Sequence, residues 1–289
     1  MTETTAEPAA TPRLFGASEL GVLSLTAPGD AHPRVEYVGG DLFIGLVDAR
    51  TGAAVTQGEA ETWARPFRDV VADAVRRAGE LPAVVDGALV IEDETVAASV
   101  LLFPSRLHGL ALQGTPVLFA LARDAVIVVG ADDEPAIARV LDRADALYAA
   151  GGPLLSAHAL TLTDAGWAPF AWREAVPALE MRFERVLRLF AVRAYEAQAP
   201  ALQRPDLHVA APKIEVLQTG VTTTLAAWPK GTATLLPVVD NIVVADPAGT
   251  LSVATFDQFL AAGGDAIVRT GLSPLRYFVP GEPPRNGEA

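Results

Sequence analysis

Asp124 and Asp240 are the residues whose type and setting could do chemistry, because each stands between two apolar, strand-like runs in a chain with an internal echo. Two carboxylates brought together across a pseudo-twofold would couple, one keeping its proton to higher pH, as acid–base catalysis requires. Arg123 would join them in a cleft between the two halves. The competing reading is structural: Asp is favoured in hairpin turns, where its carboxylate bonds nearby backbone.

Other reactive residue types assemble no further set. His32, His108, His158 and His208 show no compact ligand spacing, so no metal site is expected. His108 reads as solvated and His158 as a structural residue at the start of a strand. Ser99, Ser105 and Ser156 lack the Gly-x-Ser-x-Gly elbow. No Walker or dinucleotide fingerprint is present, and the pairs Gly39-Gly40, Gly151-Gly152 and Gly263-Gly264 are explained as turns or helix stops, so no cofactor is expected. Arg182, Arg185, Arg188 and Arg193 flank Phe183, Val186 and Phe190 on one helix, with Glu184 and Glu196 tempering the charge. This basic flank over 182–193 could receive an acidic partner or an anionic ligand, or it is a solvated helix face. Phe103, Trp167, Trp172 and Trp228 read as core or rim aromatics.

Composition narrows the function classes. Lys and Arg number 22 against 35 Asp and Glu, a net charge of −13, which opposes broad contact with nucleic acid. The 51% apolar content and mean hydropathy of +0.30 indicate a folded globular chain of 289 residues, yet no apolar run approaches the length of a membrane span. The absence of cysteine removes disulfides and thiolate chemistry. Residues 1–13 read as a flexible tail and not a signal peptide, so a cytoplasmic location is the default expectation.

Elements that would position the candidates follow from patterning. Residues 14–25 give at most a short strand, and 35–38 with 42–47 form a hairpin across Gly39-Gly40-Asp41. Residues 56–79 read as a helix with a Thr56/Glu59 capping box, in which Pro66 either marks a later start or a kink. Strands are expected at 88–91 and 96–103, a hairpin at 117–122 and 125–129, a helix opened by 130–135 with an Asp as its N-cap, and a hairpin at 157–162 and 167–172. Then come a helix over 181–199, strands at 213–217 and 221–228, a strand pair at 234–238 and 242–244, a short helix over 255–262, and strands at 266–269 and 275–279.

The run Val-Ala-Ala-Ser-Val-Leu-Leu-Phe-Pro-Ser at 96–105 echoes Val-Thr-Thr-Thr-Leu-Ala-Ala-Trp-Pro-Lys at 221–230, displaced by 125 residues. Residues 84–91 and 209–216 keep that displacement; Asp124 and Asp240 match at 116, and the Gly pairs at 112. An internal duplication explains these offsets. The expected fold is therefore α+β, two related helix plus antiparallel-sheet units over 14–175 and 176–281, with a second tail at 282–289.

The first half also carries Ala54-Val-Thr-Gln-Gly-Glu-Ala-Glu-Thr-Trp63, a strand ending Leu102-Phe103-Pro104, and Pro116-Val-Leu-Phe-Ala-Leu-Ala-Arg-Asp-Ala-Val-Ile-Val128. With Asp132-Asp133 and Gly166-Trp167, these make residues 40–170 resemble the YtpQ-like family of uncharacterised bacterial proteins. That family carries no agreed activity, so the resemblance implies no chemistry.

Function is expected to be non-enzymatic: a cytoplasmic binding or scaffolding protein, monomer or homodimer, meeting another protein through its acidic surface or the 182–193 helix. The alternative is a small-molecule-binding protein or hydrolase with an inter-unit cleft near Asp124 and Asp240.

Overall fold

The computed structural model describes residues 9–281, and the chain divides into two compact units between Val186 and Leu187. That division falls inside a long helix and not at the expected 175/176. Residues 1–8 and 282–289, which include most of the expected first tail and all of the second, lie outside the described residues.

The first unit opens with β1 (Ala10–Gly16) and α1 (Ala17–Thr26), so residues 10–13 are strand and not tail, and 17–26 are helix. Next come β2 (Val35–Gly39), β3 (Leu42–Asp48), α2 (Gln57–Glu61) and α3 (Phe67–Arg76). The β2–β3 hairpin is as expected, turning through Gly40 at φ +59. The Thr56/Glu59 capping box also forms, but its helix ends after 5 residues. Pro66 is the cap of a separate helix; its ring denies the preceding residue an α conformation, so residues 56–79 hold two helices.

The chain continues through β4 (Val84–Val85), β5 (Ala88–Ile91), α4 (Glu94–Leu102), β6 (Pro116–Ala122), β7 (Ala125–Gly130), α5 (Glu134–Ala150), β8 (Leu160–Thr163), β9 (Gly166–Pro169) and α6 (Trp172–Ala175). Two sheets result, β1-β3-β2 and β4-β5-β7-β6-β8-β9. Between them a core gathers Leu14, Ile44, Val71, Leu89, Val100 and Val128.

Residues 96–103, expected as a strand, are the body of α4. Asp93 Oδ1 accepts the Val96 N–H at 2.9 Å, Glu94 favours the first turn, and Val96 through Leu101 are all buried. A helix apolar on every side shows no 3.6-residue stripe, so periodicity cannot tell it from a buried strand. At the end of β7, a Cβ on Gly130 would fall 1.9 Å from the Gln113 carbonyl oxygen, so only glycine admits that close approach.

Helix α7 (Glu180–Leu202) begins in the first unit and continues in the second. Then follow β10 (His208–Val209), β11 (Lys213–Val216), β12 (Thr222–Pro229), β13 (Thr234–Pro237), β14 (Asn241–Ala245), β15 (Leu251–Thr255), α8 (Phe256–Gly263), β16 (Val268–Arg269) and β17 (Arg276–Val279). These make sheets β10-β13-β17-β16 and β11-β12-β14-β15, over a core of Ala226, Leu236, Ile242, Phe256, Phe259 and Val279. The pair expected at 234–238 and 242–244 is split: β13 and β14 enter different sheets, and β14 runs parallel to β12.

The two units are both α+β, but their topologies differ. The echo between 96–105 and 221–230 matches helix α4 with strand β12, because side-chain size repeats where β-branching does not. Residues 84–91 are a hairpin, whereas 209–216 lead from one sheet into another. The helix stops fall at Gly151 and Gly264, one residue out of register with the offset of the Gly pairs, so a structural duplication does not follow from these offsets. Among the described residues no helix is long and apolar enough to cross a membrane.

Candidate functional site

Asp124 lies in the first unit, exposed in the β6–β7 turn. Its neighbour Arg123 turns inward. Arg123 Nε donates to the Leu14 carbonyl at 3.2 Å, and the guanidinium pairs with Glu19 and stands 3.5 Å from Glu94 Oε1. That same Glu94 oxygen accepts the Leu14 N–H at 2.6 Å. β1, α1, α4 and the β6–β7 hairpin are thereby tied through one charged knot. Burial pushes the Glu94 carboxyl up, against the Leu14 N–H and the charges of Arg123 and Arg13, with Glu19 adding to the rise. Patterning offered no sign of this knot, since Glu94 reads as one of three acidic turn residues.

The raised value has a testable sign. Between the ordinary glutamate pKa and the folded one, the folded chain holds more protons than the unfolded, so stability falls as pH rises through that window. Glu94→Gln is expected to remove this fall, so the denaturation midpoints of the two proteins should diverge across the weakly acidic range; parallel pH curves would contradict it.

Asp240 belongs to the second unit, at the corner between β13 and β14. Arg188 of α7 grips it with Nε at 2.9 Å from Oδ2 and Nη2 at 3.0 Å from Oδ1. The Thr224 N–H and hydroxyl each donate to Oδ2 at 2.7 Å, and the Asp240 N–H returns to Thr224 Oγ1 at 3.0 Å. Burial works to raise this carboxyl, but Arg188 and both Thr224 donors overcome it and hold the group below the usual range. It is an ionised clamp, the reverse of a general acid.

The deepest charge in the second unit is Arg276, 0% exposed on β17. Nε donates to Gln198 Oε1 at 2.7 Å, Nη1 to the carbonyls of Ala210 at 2.8 Å and Leu235 at 3.2 Å, and Nη2 to the Tyr195 carbonyl at 3.3 Å. The guanidinium also stands over the Tyr195 ring, 4.9 Å from its centre. Burial lowers its pKa to about 10, still charged at neutral pH.

The basic flank of α7 is consumed within the protein. Arg182 pairs with Asp142 and donates to the Ala138 carbonyl at 2.7 Å, Arg185 Nε meets Asp145 at 3.1 Å, Arg188 holds Asp240, and Arg193 faces Glu196 at 3.3 Å. An acidic partner at the 182–193 helix would have to displace these carboxylates. Ser99 and Ser156 are buried and bonded to the Val96 carbonyl and to Asp41, whereas Ser105 is exposed. His32 rests against the Pro33 and Leu20 carbonyls; His108, His158 and His208 are exposed. Trp228 packs edge-on against Phe259, Trp172 stacks on Phe183, and the Trp167 indole N–H bonds the Leu101 carbonyl.

A polar hollow of about 390 Å³ in the first unit is lined by Asp86, Gly87, Gln113, Asp133, Pro135 and Arg139. Its polar groups largely satisfy one another: Asp133 accepts from Ala136 N at 2.9 Å and Gln113 Nε2 at 3.3 Å, and Arg139 donates to the Asp86 carbonyl. Among the described residues no three histidine or acidic side chains gather closely enough to hold a metal ion.

No family model matches the chain, and neither a curated protein nor a solved structure shows significant similarity to it.

Proposed function

We propose that this is a cytoplasmic, non-enzymatic binding protein that docks another protein through the outer face of sheet β11-β12-β14-β15. One observation carries the reading: the face turned away from the core presents Ala227, Val243 and Val253 in one row and Pro229, Ala245 and Leu251 in the next, bounded by the polar Asn241 and Thr255, with Ala227, Leu251 and Val253 exposed. An adjoining apolar set of this kind is a common mark of a protein contact.

The test is affinity capture from cell extract with the intact chain and with Ala227→Glu, which sets a charge at the exposed β12 end of the row Ala227-Val243-Val253. A protein held by the former and lost by the latter is the expected result. Identical capture by both, or a small metabolite that stabilises both without any protein partner, would overturn the reading.

A further inference from the structure

Strand β15 forms one margin of its sheet, and among the described residues no strand pairs with its outward edge. Just beyond the strand's two ends, Asp246 N donates to the Thr250 carbonyl at 2.9 Å and Phe256 N to the Asp240 carbonyl at 3.0 Å. In an antiparallel ladder those bonds fix Ser252 and Ala254 as the residues whose N–H and C=O face β14. The N–H and C=O of Leu251 and Val253 therefore point away from the sheet. Their side chains, 66% and 68% exposed, share the outer face opposite Ala245 and Val243. Residues 251–255 read Leu-Ser-Val-Ala-Thr, without the charge, proline or bulge that ordinarily protects an edge. The opposite margin, β11, is guarded by the exposed Lys213 and Glu215.

We propose that a second copy of this chain occupies the β15 edge, pairing β15 with β15 antiparallel about a twofold axis at Val253. This goes beyond the docking reading above: a second copy paired at the β15 edge extends the sheet and leaves its outer face uncovered. A twofold contact must be self-complementary, and this strand satisfies that. Val253 meets Val253 with its free N–H and C=O each engaged; Leu251 lies opposite Thr255, whose N–H stays with Gln258 Oε1 at 3.1 Å in the α8 capping box, so the Val253 pair carries the ladder. Ala227, Val243 and Val253 of one copy then continue into Val253, Val243 and Ala227 of the other as one apolar row across the joined sheets. Electrostatics favours a neutral seam of this kind. Two chains of net charge −13 repel at long range, and a contact free of charged side chains adds no local repulsion. Salt screens the long-range term, so the pair tightens as ionic strength rises, the reverse of a partner recruited by charge.

Because the chain contains no cysteine, a single introduced thiol reports on register without background. Facing residues of a hydrogen-bonded pair lie about 5.5 Å apart at Cα, within disulfide reach. Under mild oxidant, Val253→Cys is expected to give a covalent dimer, whereas Ser252→Cys, on the opposite face and off the axis, is not. In sedimentation the unsubstituted protein should dimerise, more so in higher salt, and Val253→Lys should weaken the dimer about a hundredfold or more by placing like charges on the axis. A monomer at every concentration and salt would overturn the second copy as occupant. If that monomer still captured a foreign protein lost by Ala227→Glu, the docking reading of the face would stand without the edge pairing. If capture were also insensitive to Ala227→Glu, both would fall. A dimer that survives Val253→Lys and fails to cross-link through Val253→Cys would place the interface elsewhere and overturn the proposal.

Discussion

Arg276→Met is expected to destabilise the second unit by about 3–5 kcal/mol, the cost typical of removing one partner from a buried charged network. Methionine fills comparable length and supplies no donor. The Gln198 side-chain oxygen and the carbonyls of Ala210, Leu235 and Tyr195 would lose the guanidinium that now reaches each of them. Gln198 is itself wholly buried, so water does not readily take the donor's place. Losing the desolvated cation recovers part of this, but not its geometry: a planar fork serves acceptors in several directions at once. Arg276→Lys keeps the charge and should recover less than half of the stability, because an ammonium reaches fewer of those oxygens. Trp228 is the one tryptophan between residues 187 and 281, so its fluorescence reports this unit during denaturant unfolding. An unshifted Trp228 transition in Arg276→Met would show that the buried network contributes no net stability.

Asp240→Asn should cost about 2 kcal/mol near neutral pH, between the values for exposed and fully buried ion pairs, since Arg188 and Asp240 are each about one-quarter to one-third exposed. The amide keeps the shape but loses the charge-assisted bidentate bond and sets an NH2 against either Arg188 or Thr224. Acid should reveal the same interaction. The folded pKa lies below the unfolded one, so the stabilisation from Asp240 is complete above the unfolded value and is lost as pH falls through the folded value. Asp240→Asn should therefore flatten the acid limb of the stability curve, and the gap between the two proteins should close towards low pH. A gap that stays constant with pH would assign the effect to packing and not to charge.

Local patterns made much of the scaffold legible. The β2–β3, β6–β7 and β8–β9 hairpins announce themselves by apolar runs around short turns, and α5 by its Asp133 cap, buried stripe and Gly151 stop. What stayed hidden has two physical causes. Helix α4 is apolar throughout and gave no phase by which to tell its period, and β15 is a short strand after a turn with both of its large side chains outward. The candidate chemistry failed for a different reason. Asp240 meets Arg188 across 52 residues and Arg276 meets Gln198 across 78, and no local spacing encodes such a meeting. A lone arginine in the apolar run Leu-Arg-Tyr-Phe-Val at 275–279 was the visible sign, because a charge in a strand that is otherwise apolar must find acceptors if it is buried.

The position of β17 bears on how the protein is made. Although it is the last strand in the described chain, it is an inner strand of its sheet, between β13 and β16, and it brings Arg276 to acceptors that precede it by 41 to 81 residues. During synthesis the sheet β10-β13-β17-β16 therefore cannot close until residues 276–279 have left the ribosome. The first unit has every strand of its two sheets in hand by residue 169. Translation thus sets an order of assembly, early completion followed by a wait, during which the lone β10–β13 pair and the buried groups meant for Arg276 are open to chaperones and proteases.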